Sequence, residues 1–311
     1  MPILRLNAGP DGLVLHGSPA PALPTLRRAA KGSGPIIIMI HGFKYDPNVP
    51  TYCPHNRIFG KGTAEARAQT QWLRPLGFAS RHAGEGLAIA FGWGARGNLW
   101  NAQLSARAAG VALAQAIRDI RAVAPFRPIH AITHSMGSEV IFEALRHLPA
   151  RALHRVVTIT GASYASVATA AMETPAGRSA QLLNIISREN DVFDLMFERL
   201  MAPAVPMDRA MGSGVHLSNA VNIQLDCPKT LAALARFGGH VSGPERRVCH
   251  WSGYTRPGAL RFYARALRSA DDITLEALKA ALPVMPTPRW SRIFAVPQMP
   301  SYLPARQKTA T

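Results

Sequence analysis

A serine stands between a histidine and a Met-Gly pair at residues 134–137, directly after the apolar, β-branched run 129–133. Strand, sharp turn and helix in this order predict that Ser135 is held in strained backbone geometry with its hydroxyl above a sheet. Such a serine can act as a nucleophile, whereas the plainer interpretation is an ordinary strand-to-helix turn. The helical face that follows consists of Val140, Ile141, Ala144, Leu145 and Leu148.

Short apolar runs elsewhere in the chain can build the sheet that such a serine needs. Several of these runs are apolar on both faces, which is typical of central parallel strands, and helical patterns separate them. They predict an α/β fold with a mostly parallel central sheet of about eight strands and helices on both faces. The predicted strands are a hairpin of 3–6 and 13–15, followed by 36–40, 87–91, 129–134, 155–160, 182–187 and 221–226.

The order of motifs resembles the α/β-hydrolase superfamily over about residues 36–267. The serine turn resembles the nucleophile elbow G-x-S-x-G, with Thr133 in place of the first glycine. The resemblance is greatest to a bacterial α/β-hydrolase group of unknown function with a His-Gly-Phe loop, a Phe-x-Trp-Pro-Ser-like turn, Ala-His-Ser-Met-Gly and Ser-Arg-x-x-Asp. This chain has Phe-Gly-Trp-Gly at 91–94, without the proline. The resemblance implies an α/β-hydrolase fold.

The resemblance also implies how a reaction intermediate would be bound. The loop after strand 36–40 would supply the amide of Phe43 to an oxyanion hole, and Met136 would supply the second amide. Gly42 would let the backbone approach the substrate carbonyl. The candidate substrate-binding residues are His41, Gly42, His134 and Trp93, and for His41 the alternative is a hydrogen bond within its own loop.

The superfamily places its acid and its base after the serine, in the order Ser, Asp, His. By that resemblance Asp191 is the acid, because an apolar residue follows it and would tuck the loop under the sheet; Glu189 and Asp194 are rivals. A plain helix cap at Asp191 is the other interpretation. His250 is preferred as the base because it lies in a loop before the last long helices, and His240 is the alternative.

Two segments are assigned as additions to the main domain of residues 1–282. Residues 192–250 are a candidate cap or insertion, because Met196, Met201, Met207 and Met211 could line an acyl pocket, although such a stripe is more often core. Residues 283–311 form a proline-rich, basic C-terminal tail that would pack over the domain, stay disordered or touch an anionic membrane.

Composition excludes several classes of protein. The net charge of +17 comes from scattered arginines without a basic arm, so a nucleic-acid partner is not expected, and charge alone supports an anionic membrane surface. No apolar run approaches the roughly 18 residues that would span a bilayer, and no signal peptide is evident, which predicts a cytoplasmic protein. Three cysteines without a C-x-x-C pair predict reduced thiols and no metal.

The function implied is acyl transfer to water without a metal or organic cofactor. Ser135 would attack an ester, thioester or amide of a small or lipid-like substrate, His250 would move the proton, and Asp191 would orient the imidazole. This describes a serine hydrolase of the carboxylic-ester type. The alternative is a catalytically silent binding protein with the same fold.

Overall fold

The computed structural model describes residues 3–60, 71–78 and 84–294. The strands are β1 (Ile3–Gly9), β2 (Gly12–Leu15), β3 (Ile36–Ile40), β4 (Leu87–Gly92), β5 (Ile129–His134), β6 (Arg155–Ile159), β7 (Gln181–Ile186) and β8 (Ala220–Gln224). The α-helices of these ranges are α1 (Ala22–Ala30), α2 (Leu99–Val123), α3 (Gly137–Arg146), α4 (Ala165–Met172), α5 (Pro175–Arg178), α6 (Asp191–Leu200), α7 (Pro228–Arg236), α8 (Ser252–Thr255), α9 (Ala259–Arg268) and α10 (Leu275–Ala281).

The strands form one twisted sheet in the order β2-β1-β4-β3-β5-β6-β7-β8. Only the β1–β2 hairpin at the edge is antiparallel, and each of the remaining pairings is parallel. The prediction of a mostly parallel sheet of about eight strands is therefore confirmed. Because the parallel strands all end at one edge, the loops that follow β3, β5 and β7 lie together there.

Two hydrophobic cores lie on opposite faces of the sheet. Along β3, Ile36, Ile38 and Ile40 pack into the first core, and Ile37 and Met39 pack into the second. Helices α1 to α5 cover the first face, while α7, α9 and α10 cover the second. This alternation explains why the central strands are apolar at every position, since both of their faces are buried.

The segment assigned as a cap, residues 192–250, is smaller than the sequence suggested. Residues 220–224 form strand β8 of the central sheet and residues 228–236 form helix α7, so this part belongs to the main domain. The part of the candidate cap that lies over the sheet edge is α6 with the loop after it. Residues 295–311 of the tail lie outside the described residues. Within the described ranges, none of the helices combines the length and apolarity that crossing a bilayer requires.

Candidate active site

The backbone at Ser135 is strained. Its φ of 53° places a non-glycine residue in the left-handed region, at a cost of about 1–3 kcal/mol. The turn is tight because a Cβ at Gly137 would lie 2.6 Å from the carbonyl oxygen of His41. Thr133 fits where the superfamily motif has glycine, since its buried hydroxyl lies 3.2 Å from the Ser138 hydroxyl. The structure thus has a nucleophile-elbow geometry between β5 and α3.

Two amide groups lie beside this serine. Phe43 and Met136 line the same cavity as Ser135. In the described part of the chain, neither of their N–H groups donates to a backbone carbonyl. Gly42 holds the loop close, because a Cβ there would lie 2.7 Å from Cβ of Ser135. An oxyanion hole requires two such unengaged amides beside the nucleophile.

His41 and Trp93 support this loop from behind. The Trp93 N–H donates to Nε2 of His41 at 3.0 Å, so Nδ1 carries the proton and donates to the Gly42 carbonyl at 2.9 Å. The two rings stack with centroids 5.4 Å apart, and burial lowers the pKa of His41 to about 3. His41, Gly42 and Trp93 do not line the cavity. The structure thereby corrects their assignment as substrate-binding residues: they position the loop.

The His250 imidazole is held by an amide. Nδ1 of His250 lies 2.7 Å from Oδ1 of Asn190, and Nδ2 of Asn190 donates to Oδ1 of Asp194 at 2.9 Å. The carboxylate accepts from the amide nitrogen, so the amide oxygen must face the histidine. Nδ1 of His250 therefore carries the proton. This leaves Nε2 unprotonated, as a general base requires.

The backbone of His250 is fixed as well. Its carbonyl accepts hydrogen bonds from Nε2 of His134 at 3.2 Å and from the Thr160 hydroxyl at 3.1 Å. Burial holds the pKa of His250 well below its usual value, with His134 contributing in the same direction. Burial also lowers the pKa of His134 to about 4. Both rings are consequently neutral near pH 7.

Asp191 does not reach His250, which corrects the expected acid. Its Oδ2 accepts from the Trp290 N–H at 2.6 Å, and its Oδ1 lies 3.3 Å from Nη1 of Arg188. The reason is local geometry: a 3-10 turn over residues 188–190 directs Asn190 to the histidine and places Asp191 inside the first turn of α6. Sequence reasoning missed Asn190. The available signal was its i,i+4 spacing from Asp194, which puts both on one helix face.

The two rivals of Asp191 have distinct surroundings. Glu189 pairs with Arg256, whereas Asp194 lies behind Asn190. Burial raises the pKa of Asp194 to about 7, against the opposing effects of Arg289 and Arg188. A Cβ at Gly212 would lie 2.0 Å from Oδ2 of Asp194, so a side chain there would displace this carboxyl group.

A cavity of about 910 Å³ opens over the elbow. Ser135, Met136, Phe43, His134 and His250 all line it. An apolar wall comes from α6, and charged side chains come from the surrounding loops. The α6 side chains are Phe193, Met196, Phe197 and Leu200, and the charged ones are Lys44, Arg57, Glu189, Glu245, Arg246 and Arg256.

Other candidates from the sequence lie away from this cavity. His240 is exposed and lines a separate pocket with Arg261 and Arg265. Of the four methionines, only Met196 lines the cavity; two are buried and one is exposed on the surface. The buried pair is Met201 and Met211, and the exposed one is Met207.

The described part of the tail crosses the outside of α6; we call residues 287–293 the C-terminal strap. Besides the Trp290 contact with Asp191, the Arg289 guanidinium donates to Glu198 of α6 at 2.8 Å. Arg292 donates to the carbonyls of Arg246 and Pro244, at 2.7 and 3.2 Å. The strap thereby ties α6 to the loop that leads to His250.

The sheet order, the elbow and the histidine at the same sheet edge define an α/β-hydrolase fold. Residues 25–175, just under half of the chain, match the family described as alpha/beta hydrolase of unknown function (DUF900). No curated protein matches the chain.

A solved structure, Pyrococcus horikoshii acylaminoacyl peptidase, is similar at 13% identity with a TM-score of 0.32. That alignment covers 76% of this chain and 36% of the peptidase chain. The chain therefore spans about a third of the length of this relative.

Proposed function

We propose that the protein is a serine hydrolase that cleaves an acyl ester through an acyl-enzyme intermediate. The observation that carries the proposal is the strained Ser135 in one cavity with a His250 whose Nδ1 proton is already engaged by Asn190. A neutral imidazole with a free Nε2 is the form that accepts the proton of a serine hydroxyl.

The reaction would proceed in two steps. A bond forms between Oγ of Ser135 and the acyl carbon, and the bond from that carbon to the alcohol oxygen breaks. His250 takes the serine proton and passes it to the departing alcohol. The amides of Phe43 and Met136 bind the developing oxyanion, and each such donor is worth about 2.7–4 kcal/mol in measured enzymes. Water then attacks the acyl carbon with His250 as base, the bond from that carbon to Oγ of Ser135 breaks, and His250 returns the proton to Ser135 as the free acid leaves.

The partner of His250 is the amide of Asn190, where the sequence predicted a carboxylate. Asn190 fixes the tautomer of His250, as the asparagine of Cys-His-Asn proteases does, but it has no charge to stabilise an imidazolium. Asp194, one hydrogen bond further back, supplies that charge when it is ionised. The uncharged partner is also the one observation that favours the alternative function, a catalytically silent binding protein.

Labelling with a fluorophosphonate probe and hydrolysis of 4-nitrophenyl acyl esters test the proposal together. The wild-type protein should label at Ser135, and Ser135→Ala should lose labelling and lower kcat by about 10⁶. Ser218→Ala, which changes an exposed serine on a loop, is the matched control and should keep both. A wild-type protein that neither labels nor turns over any acyl ester would establish the silent alternative.

A further inference from the structure

The cavity has an apolar wall along one helix. Phe193, Met196, Phe197 and Leu200 follow the i, i+3, i+4, i+7 spacing that puts side chains on one face of α6. Met196 is 51% exposed and Leu200 is 42% exposed. Large apolar side chains left open to solvent inside a cavity favour an apolar ligand. This wall suits a hydrocarbon chain.

The remaining charge in the cavity is mostly positive. Arg256 is neutralised by Glu189. Lys44, Arg57 and Arg246 also line the cavity, and within residues 3–60, 71–78 and 84–294 no carboxylate forms an ion pair with them. The Arg57 Nε donates to a backbone carbonyl at 2.7 Å, which holds that side chain in place. Against these cations stands one further carboxylate, Glu245.

The topology separates the two kinds of wall. Lys44 and Arg57 belong to the loop after β3, on one side of β5, while α6 follows β7 on the other side. Ser135, at the end of β5, lies between them. Arg246 precedes His250 in its loop and lines the same cavity. A substrate across Ser135 would place a chain on α6 and its other end among cations.

We propose that the substrate is an ester of an aliphatic acid with an alcohol that carries an anionic group, such as a phosphate, sulfate or carboxylate. The inference rests on the proposed hydrolase function and adds the charge of the leaving group to it. Lys44 and Arg57 bind the anion, assisted by Arg246, and the acyl chain lies against α6.

Three esters with one acyl chain test the inference: octanoyl glycerol phosphate, octanoyl glycerol and octanoylcholine. The wild-type kcat/KM should be highest for the anionic ester and lowest for the cationic one, and raising the salt concentration should reduce the difference. The double variant Lys44→Gln/Arg57→Gln should lower the preference for the anionic over the neutral ester about tenfold. Arg28→Gln, an exposed arginine of α1, is the control and should keep the preference.

Binding to Ser135→Ala, measured by titration calorimetry with the same esters, separates charge selection from chemistry. The inference is supported if Ser135→Ala binds the anionic ester more tightly than the other two esters and if adding Lys44→Gln/Arg57→Gln abolishes this difference. Turnover and probe labelling without any preference among the esters would overturn it and leave the hydrolase proposal standing. Preferential binding of the anionic ester without labelling would instead reject the hydrolase proposal and keep the charge selectivity of the cavity.

Discussion

Asn190 places a buried carboxyl group one hydrogen bond away from the histidine that would act as base. The amide cannot itself ionise, so a negative charge that acts on His250 through Asn190 must come from Asp194. Because burial raises the pKa of Asp194 to about 7, its charge appears in the pH range where a hydrolase commonly works. The ionised form favours the imidazolium that develops on His250 in the transition state.

The pH dependence of kcat should therefore follow Asp194. In the wild-type protein kcat should rise with an apparent pKa near 7 as Asp194 loses its proton. Asp194→Asn should remove this rise and lower kcat about tenfold above pH 8, which corresponds to about 1.4 kcal/mol. The measurement is kcat for an acyl ester from pH 5 to 9.

Asp191→Asn is the comparison variant, because Asp191 contacts the strap and Arg188 and not His250. It should keep a rise in kcat, at a somewhat lower apparent pKa, because the charge of Asp191 contributes to the raised pKa of Asp194. If Asp191→Asn abolished the rise in kcat and Asp194→Asn did not, the proposal that Asp194 acts on His250 through Asn190 would be wrong.

Residue identities explain which parts of the site could be predicted. The turn at Ser135 was predictable because several motifs follow one another in the order of the superfamily, which is more specific than the serine turn alone. The partner of His250 was not, since a shift of one residue in a 3-10 turn decides whether position 190 or 191 faces the histidine. The spacing of apolar and polar residues in the sequence does not indicate such a shift.

At the scale of elements, the approach of the β3 loop to the elbow decides where the oxyanion amides lie. Gly42 is the closest point of that approach, with Cβ of Ser135 and the carbonyl oxygen of His134 at 2.7 and 2.9 Å from a Cβ built there. The loop cannot retain this position with any larger residue.

Gly42→Ala should thus lower kcat for an acyl ester by about 10²-fold, the effect of losing one oxyanion donor, with a smaller change in KM. Gly94→Ala is the matched control, because a Cβ at that position has only the Ser105 hydroxyl nearby, at 3.7 Å. Steady-state kinetics of the two variants check the prediction. Equal kcat values for both would contradict the role of the loop.

The elements themselves were largely predictable from the sequence. Strand β3 has the predicted bounds and β7 differs by one residue at each end, because fully buried parallel strands read as uninterrupted apolar runs. Residues 221–226 had two interpretations in the sequence, a strand of the sheet and part of the candidate cap, and the structure has strand β8 (Ala220–Gln224) there. Their alternation of apolar and polar residues does not show that they pair with β7.

At the scale of the whole molecule, several histidines are buried and neutral. Burial lowers their pKa values from 6.5 to about 3 for His41, about 2 for His55, about 3 for His130 and about 4 for His134. The unfolded chain binds protons at these groups below pH 6.5, while the folded protein does not. The free energy of unfolding must fall as pH falls from 6.5 towards the folded pKa values.

Each of these histidines should contribute a loss of about 1.4 kcal/mol for each pH unit in that window. Asp194 opposes the trend, because its raised pKa makes the folded state bind a proton between about pH 4 and 7. His130→Gln should reduce the pH dependence by the contribution of one histidine. Urea unfolding at pH 7 and pH 5.5 measures it.

The control is His240→Gln, because the His240 side chain is exposed and lies outside the active-site cavity. This substitution should leave the difference between the two pH values as in the wild-type protein. A His130→Gln variant as sensitive to acid as the wild-type protein would contradict the explanation.

The position of the C-terminal strap has a consequence for the order of events during synthesis. Residues 287–293 leave the ribosome after every strand of the sheet and after His250. The nascent chain can therefore form its sheet and its elbow before the strap contacts α6 and the loop of residues 244–247. The strap contacts therefore form last, and proteolysis after residue 282 would remove them from the folded protein.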